Sequence, residues 1–305
     1  MALASLNNQD MISIGTKIGV LLSLIKLKIT RTVIFTAFLG YYLAADVASG
    51  GLDILNCGIM LFATACVCGG VCTFNHVLEW ESDIKMSRTK NRPIPSKMIT
   101  PLQATMFGSV LVCLGLVIMW QVFSLILALG ALATGILYDF IYTPLKRISA
   151  WNTTVGALPG ALPVLGGSVA AADAITPATL LVFLIVFLWQ HPHFYAIAWV
   201  YKDDYLKAGY KMISSNDKTG KLTFGSSLIC TVLLIFISIL LPYYHARLGG
   251  YYHIANILLA FWFLNEVFRA YRHTVTRSAH RVITGSVIYL ILWISIVITD
   301  DLFFS

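Results

Sequence analysis

Between Lys97 and Asp139 the chain carries no acidic or basic side chain at all. One helix needs about 20 apolar residues to cross a bilayer, so a stretch of this length is a pair of crossings joined by a short turn. Similar uncharged or nearly uncharged runs recur along the sequence. We place spans near 29–49, 54–74, 102–121, 123–142, 151–171, 177–199, 222–242, 254–271 and 283–303. Charged residues make up 11% of the chain and hydrophobic ones 58%, whereas an ordinary soluble domain carries roughly 25% charge. Long apolar runs without alternation suit helices, which satisfy their own backbone groups in lipid, rather than barrel strands. The expected fold is an all-α integral membrane protein, a bundle of nine transmembrane helices. Residues 1–28 form an N-terminal cytoplasmic or surface segment, and 29–305 a single transmembrane domain.

Lys and Arg sit at alternate ends of these spans: at or before the start of span one, and in or beside the 2/3, 4/5, 6/7 and 8/9 connections. Of the 21, only Arg247 lies on the other side. The positive-inside bias then puts the N-terminus in the cytoplasm. Residues 11–28 read as an amphipathic surface helix, or as a segment whose Lys17, Lys26 and Lys28 anchor the topology. Met1–Asp10 is polar and no cleavable signal is evident. The net charge of +7 follows from topology and an anion site and calls for no nucleic acid. The six cysteines lie in or beside spans and Cys66, Cys68 and Cys72 match no zinc spacing, so they read as small packing residues.

The charge that the spans avoid is concentrated just after span two, in "NHVLEWESDIKMSRTKNRPIPSK" (75–97). Asn75, Glu79 and Asp83 fall at i, i+4 and i+8, which aligns an amide and two carboxylates on one helix stripe. Mg²⁺ takes one or two carboxylates together with substrate phosphates. Lys85, Arg88, Lys90, Arg92 and Lys97 follow, and Pro93 and Pro95 end any helix that persists that far. Acids starting at the end of an apolar span are costly there and point to function. Carboxylates beside guanidiniums suit a metal-bound diphosphate.

The stretch resembles the first acidic motif of the UbiA superfamily of intramembrane prenyltransferases, N-x-x-x-D/E-x-x-x-D followed by M-x-R-T-x-x-R-P. Within that superfamily it is most similar to the protoheme IX farnesyltransferases, or haem O synthases. Three more segments agree in order: "YTPLKRISAWNTTVGALPGALPVLGG" (142–167), "WQHPHFYAIAWVYKDDYLKAGYKM" (189–212) and "RVITGSVIYLILWISIVITDD" (281–301).

The resemblance implies an enzyme that transfers the farnesyl group of farnesyl diphosphate to the 2-vinyl group of protoheme IX (haem B), with water, to give haem O and diphosphate. It places Asn75, Glu79, Asp83 and Asp204 at the catalytic site, with Asp203 as a further metal ligand and Mg²⁺ as the divalent cation. Arg88, Arg92, Lys146 and Arg147 would bind diphosphate. Quinone-type members carry a fuller D-x-x-x-D in the second stretch, but here its outer positions are Tyr201 and Tyr205. His191 and His193, inside span six, are haem-contacting candidates, because neutral imidazole is a common haem-iron ligand. Haem B is a substrate rather than a resident cofactor. The other partners implied are the lipid bilayer and a haem A synthase that takes the product. Rival readings are a UbiA-type enzyme acting on a quinone precursor or chlorin, and a polytopic transporter, although no internal repeat is visible. With only residues 1–28 ahead of span one, we expect the bacterial cytoplasmic (inner) membrane, with the site opening toward the cytoplasm. Asp139, an acid inside a span, has no role in this scheme.

Overall fold

The computed structural model describes residues 17–49 and 52–303, with the side chains of 46–49 left aside. The expectations for Met1–Asp10 and for the first part of the 11–28 segment lie outside the described residues. Every long element is helical. After a helical stretch over 17–24 come α1 (Leu27–Ser49) and α2 (Ile54–Asp83), then α3 (Pro101–Phe123), α4 (Leu125–Ile148), α5 (Asn152–Ala172) and α6 (Pro177–Val200). A short α7 (Lys202–Lys207) precedes α8 (Lys221–Tyr243), α9 (Gly250–Arg272) and α10 (Thr276–Phe303). Among the described residues, seven helices are long and apolar enough to cross a membrane: α2 to α6, α8 and α10. The α9 sequence is more mixed, with Tyr251, Tyr252, His253, Asn256, Asn265 and Glu266 among its residues.

Local chemistry sets the helix starts. Thr100 and Thr176 each make a reciprocal capping box, with Gln103 and Thr179, and a proline follows at the first helical position in both. Ser124, in extended backbone, divides the Lys97–Asp139 run and caps α4 by accepting from the Leu127 amide. Asp217 accepts from the Gly220 and Thr223 amides, both at 2.8 Å, and starts α8. Those backbone bonds and the Thr223 hydroxyl outweigh the effect of burial and hold its carboxyl below the usual range.

Small residues let the helices cross closely, as expected where lipid gives no hydrophobic drive between them. A Cβ added to Gly40 would come within 1.9 Å of the Val164 carbonyl oxygen, and one on Gly167 within 2.1 Å of the Ala37 oxygen. The α1–α5 crossing is therefore backbone against backbone. Gly70 against Gly108, and Gly115 against Ala63, do the same for α2 and α3. The largest core, with Trp293, Tyr252, Tyr289, Phe224 and Phe263 fully buried, lies among α6, α8, α9 and α10.

Two expectations need correction. The helix carrying the acidic stripe does not persist to the proline pair: α2 ends at Asp83, and residues 84–99 form successive turns. Thr89 bonds the Asp83 carbonyl through its hydroxyl at 3.0 Å, so side chains close the helix before any proline is reached. Conversely, Lys146 and Arg147 are not in a loop. A π-helical turn over Leu137–Tyr142 carries α4 on to Ile148 and puts both bases on its last turn.

Candidate active site

The acidic stripe lies at the end of α2 where three connections meet: 84–99, the end of α4 with the turn into α5, and 201–219. Asn75 is fully buried. It donates through Nδ2 to Thr143 Oγ1 at 2.9 Å and accepts from the Lys26 ammonium. One turn on, Glu79 pairs with Lys146 Nζ at 2.7 Å and accepts from the Tyr210 hydroxyl at 3.2 Å. One turn further, both oxygens of Asp83 lie within 2.9 Å of Arg92 Nη1. Arg147 spans the same end of α2 and donates to Ser82 Oγ at 2.7 Å.

Asp204 reaches the site from α7. Its oxygens accept from the Ser87 hydroxyl at 2.7 and 2.8 Å and from the Arg88 amide at 3.2 Å. The Ser87 hydroxyl holds the Asp204 carboxyl below the usual carboxylate range. The Arg88 guanidinium stacks 4.9 Å from the Tyr201 ring and reaches the Tyr205 hydroxyl at 3.5 Å. The 201–219 connection is pinned to the α4–α5 turn by the Lys211 amide on the Lys146 carbonyl and by Asn152 Nδ2 on the Lys211 carbonyl. Tyr210, Met86, Ala198, Ala208 and Met212 bury one another beneath it. Burial, reinforced by Glu79, pushes the Tyr210 phenol up to about 12, so it stays a neutral hydrogen-bond donor.

The structure thus brings together Asn75, Glu79, Asp83, Arg88, Arg92, Lys146, Arg147 and Asp204. It separates Asp203, which is exposed while its neighbour is buried. His191 and His193 lie elsewhere, on α6. His191 is held by the Phe187 carbonyl at 2.9 Å and Thr154 at 3.3 Å; His193 bonds Ser286 of α10 at 2.7 Å and stacks on Trp189. Both ring nitrogens of His191 already have partners, which suits a link between α5 and α6.

Sequence reasoning passed over several residues here. Lys26 looked like a topology anchor, but its ammonium is buried against Asn75. Burial lowers its pKa from the ordinary value, and Arg92 and Lys146 push the same way. Thr143, Tyr210 and Ser87 were within quoted motifs, yet only the fold shows that they meet Asn75, Glu79 and Asp204. His76, next to Asn75 in the chain, is buried, and neither ring nitrogen has a hydrogen-bond partner.

Among the described residues no group of three or more His, Cys, Asp or Glu side chains forms a ready-made metal cage. The donors present are hard oxygens on a buried stripe, each paired with a base, and this set fits Mg²⁺ arriving with phosphate oxygens. A metal diphosphate presents cation and anion together, so it can exchange into both halves of the Glu79–Lys146 and Asp83–Arg92 pairs.

Comparison with known proteins identifies the family and the fold. Residues 33–294 match the UbiA prenyltransferase family. The chain is 36% identical over 285 residues to a protoheme IX farnesyltransferase of Solibacter usitatus, covering 92% of this chain and 97% of that one. It is 34% identical over 279 residues to the protein of the same name in Salinibacter ruber, with the same coverage. In fold it resembles a structure of digeranylgeranylglyceryl phosphate synthase, with a TM-score of 0.76 at 20% identity over 94% of this chain and 99% of that one. It also resembles a UbiA homologue from Archaeoglobus fulgidus bound to GPP and Mg²⁺, with a TM-score of 0.68 at 14% identity over 92% and 99%.

Proposed function

The chain belongs to the UbiA prenyltransferase family, and from that premise we propose that it transfers farnesyl from farnesyl diphosphate to the 2-vinyl group of haem B, with water, giving haem O and diphosphate. Relatives more than 30% identical over nearly their whole length bear the name of that activity. The observation that carries the chemistry is the convergence of a buried oxygen stripe and five bases, Lys26 included, at one end of an apolar bundle. Such a site accepts a charged head at its rim and a lipid tail within.

Asn75, Glu79, Asp83 and Asp204 would hold Mg²⁺, which when bound neutralises charge building up on the leaving diphosphate. Arg88, Arg92, Lys146 and Arg147 orient the two phosphates and stabilise the same charge through fixed donors. Asp203 is left with a minor role, consistent with its exposure. The Tyr142 ring, 4.4 Å from Lys146 Nζ, presents a π face near the reacting end, where an allylic cation needs shielding from water and a polarisable neighbour. His193, with Ser286 fixing one of its nitrogens, is the better of the two histidines to meet haem, since His191 is fully engaged.

In the same proposal the chain spans a bacterial inner membrane nine times, as one domain over 29–305. Its N-terminus and site face the cytoplasm, and a haem A synthase receives the product. The test is turnover of the purified protein in detergent with haem B, farnesyl diphosphate and Mg²⁺, followed by mass spectrometry. We expect a haem heavier by one farnesyl and one water, absent with chelator and with Asp83→Ala. Unmodified haem alongside prenylation of a quinone precursor would move the chain to another branch of the family.

A further inference from the structure

Asp139 takes part in none of the contacts described above. It lies in the π-helical turn of α4 and is 2% exposed; its Oδ1 is enclosed without a hydrogen-bond partner. A carboxyl group inside a span with no partner is a functional candidate by default, and π-bulges within α-helices are frequent at functional sites. Its level is also informative. Thr143, which receives the Asn75 amide, donates back to the Tyr138 carbonyl at 3.0 Å. Because α4 runs toward the charged rim, Asp139 stands about one helical turn deeper than Thr143 and the Asn75 amide bonded to it. Reading inward from the rim, the order is Asp83 with Arg92, Glu79 with Lys146, Asn75 with Thr143 and Lys26, and then Asp139.

The reaction proposed above has a requirement that the rim residues do not meet. Diphosphate leaves with the electron pair of the C1–O bond, and the vinyl π pair forms the new C–C bond. That leaves a cation on the carbon next to the porphyrin. Water gives that carbon a lone pair and must then lose a proton. Without a base held beside the water, the cation instead loses a proton from the adjacent carbon to the departing diphosphate, and the product is an alkene lacking the water. Resting on the farnesyl-transfer reading, we propose that Asp139 is a further catalytic residue whose carboxylate holds the attacking water and accepts its proton. This proposal puts the new bond beneath the diphosphate level, and there Asp139 Oδ1 keeps an acceptor position that no protein donor fills.

The experiment compares wild type, Asp139→Asn and Asp139→Glu, each as the full chain in detergent with haem B, farnesyl diphosphate and Mg²⁺. It reads the ratio of anhydrous to hydrated farnesyl haem by mass. A positioned base contributes on the order of 10²–10⁴-fold, so in Asp139→Asn the ratio should rise by about tenfold or more while farnesyl diphosphate is still consumed. Asp139→Glu, which keeps the carboxylate, should recover part of the hydration. An unchanged ratio in the asparagine variant overturns the proposal, as does loss of all farnesyl transfer in both folded variants. If the asparagine variant is not recovered folded, Asp139→Ser, which also removes the carboxylate, decides: a raised ratio supports the role and a wild-type ratio overturns it. A wild-type chain that farnesylates no haem at all defeats the underlying reading, and this inference with it.

Discussion

Glu79 and Lys146 face each other across two helices with little solvent between them; their side chains are 7% and 12% exposed. Two opposite charges in such a place depend on one another, because removing one leaves the other buried and uncompensated. Lys146→Met should therefore destabilise the fold by about 3–5 kcal/mol, visible as a lower unfolding midpoint in detergent. Adding Glu79→Gln should restore most of that stability and none of the activity. If the double variant stays as unstable as the single one, the pair is not the structural unit described here. At this scale the sequence was informative about Asn75, Glu79 and Asp83, because their spacing of four is a property of any helix. It said nothing about which base meets which acid. Lys146 is 67 residues from Glu79 and Ser87 is 117 from Asp204, and separations like these leave no local pattern. Lys26 was hidden for the opposite reason: three lysines close together before a span look like ordinary topology anchors.

Helices were the most legible features, since uncharged runs of span length have few other solutions. Their ends were less so. The ending of α2 at Asp83 and the continuation of α4 through its π turn depend on hydrogen bonds from Thr89 and on the packing of Tyr142 against Gly156, where an added Cβ would lie 2.5 Å from the ring. The α1–α5 crossing supplies a test at this scale. Gly167→Ala drives a methyl group toward the Ala37 carbonyl, a backbone atom that a rotamer change cannot move. We expect a loss of roughly 1–3 kcal/mol, read as a drop in Tm. Gly130→Ala in α4, whose added Cβ meets nothing within 4 Å, serves as the control and should leave Tm unchanged.

For the molecule as a whole, the testable quantity is orientation. Lys90, in the 84–99 connection, and Ala246, between α8 and α9, should lie on opposite sides of the membrane. A cysteine at Lys90 should react with an impermeant maleimide only in inside-out vesicles, and one at Ala246 only in right-side-out vesicles, each above the background of the six native cysteines. Labelling of both from one side would break the proposed alternation. The sequence by itself determined that this chain is a helical membrane protein with an acidic and basic site at one end, because charge is so costly in lipid that its few positions are conspicuous. Only the tertiary structure decided how that site is wired. It paired Glu79 with Lys146, seated Asp204 on Ser87 and apart from Asp203, and buried Lys26 against Asn75. It also placed Asp139 one turn beneath them. Those outcomes depend on which helix faces come together, and that is a matter of close packing between surfaces far apart in the chain.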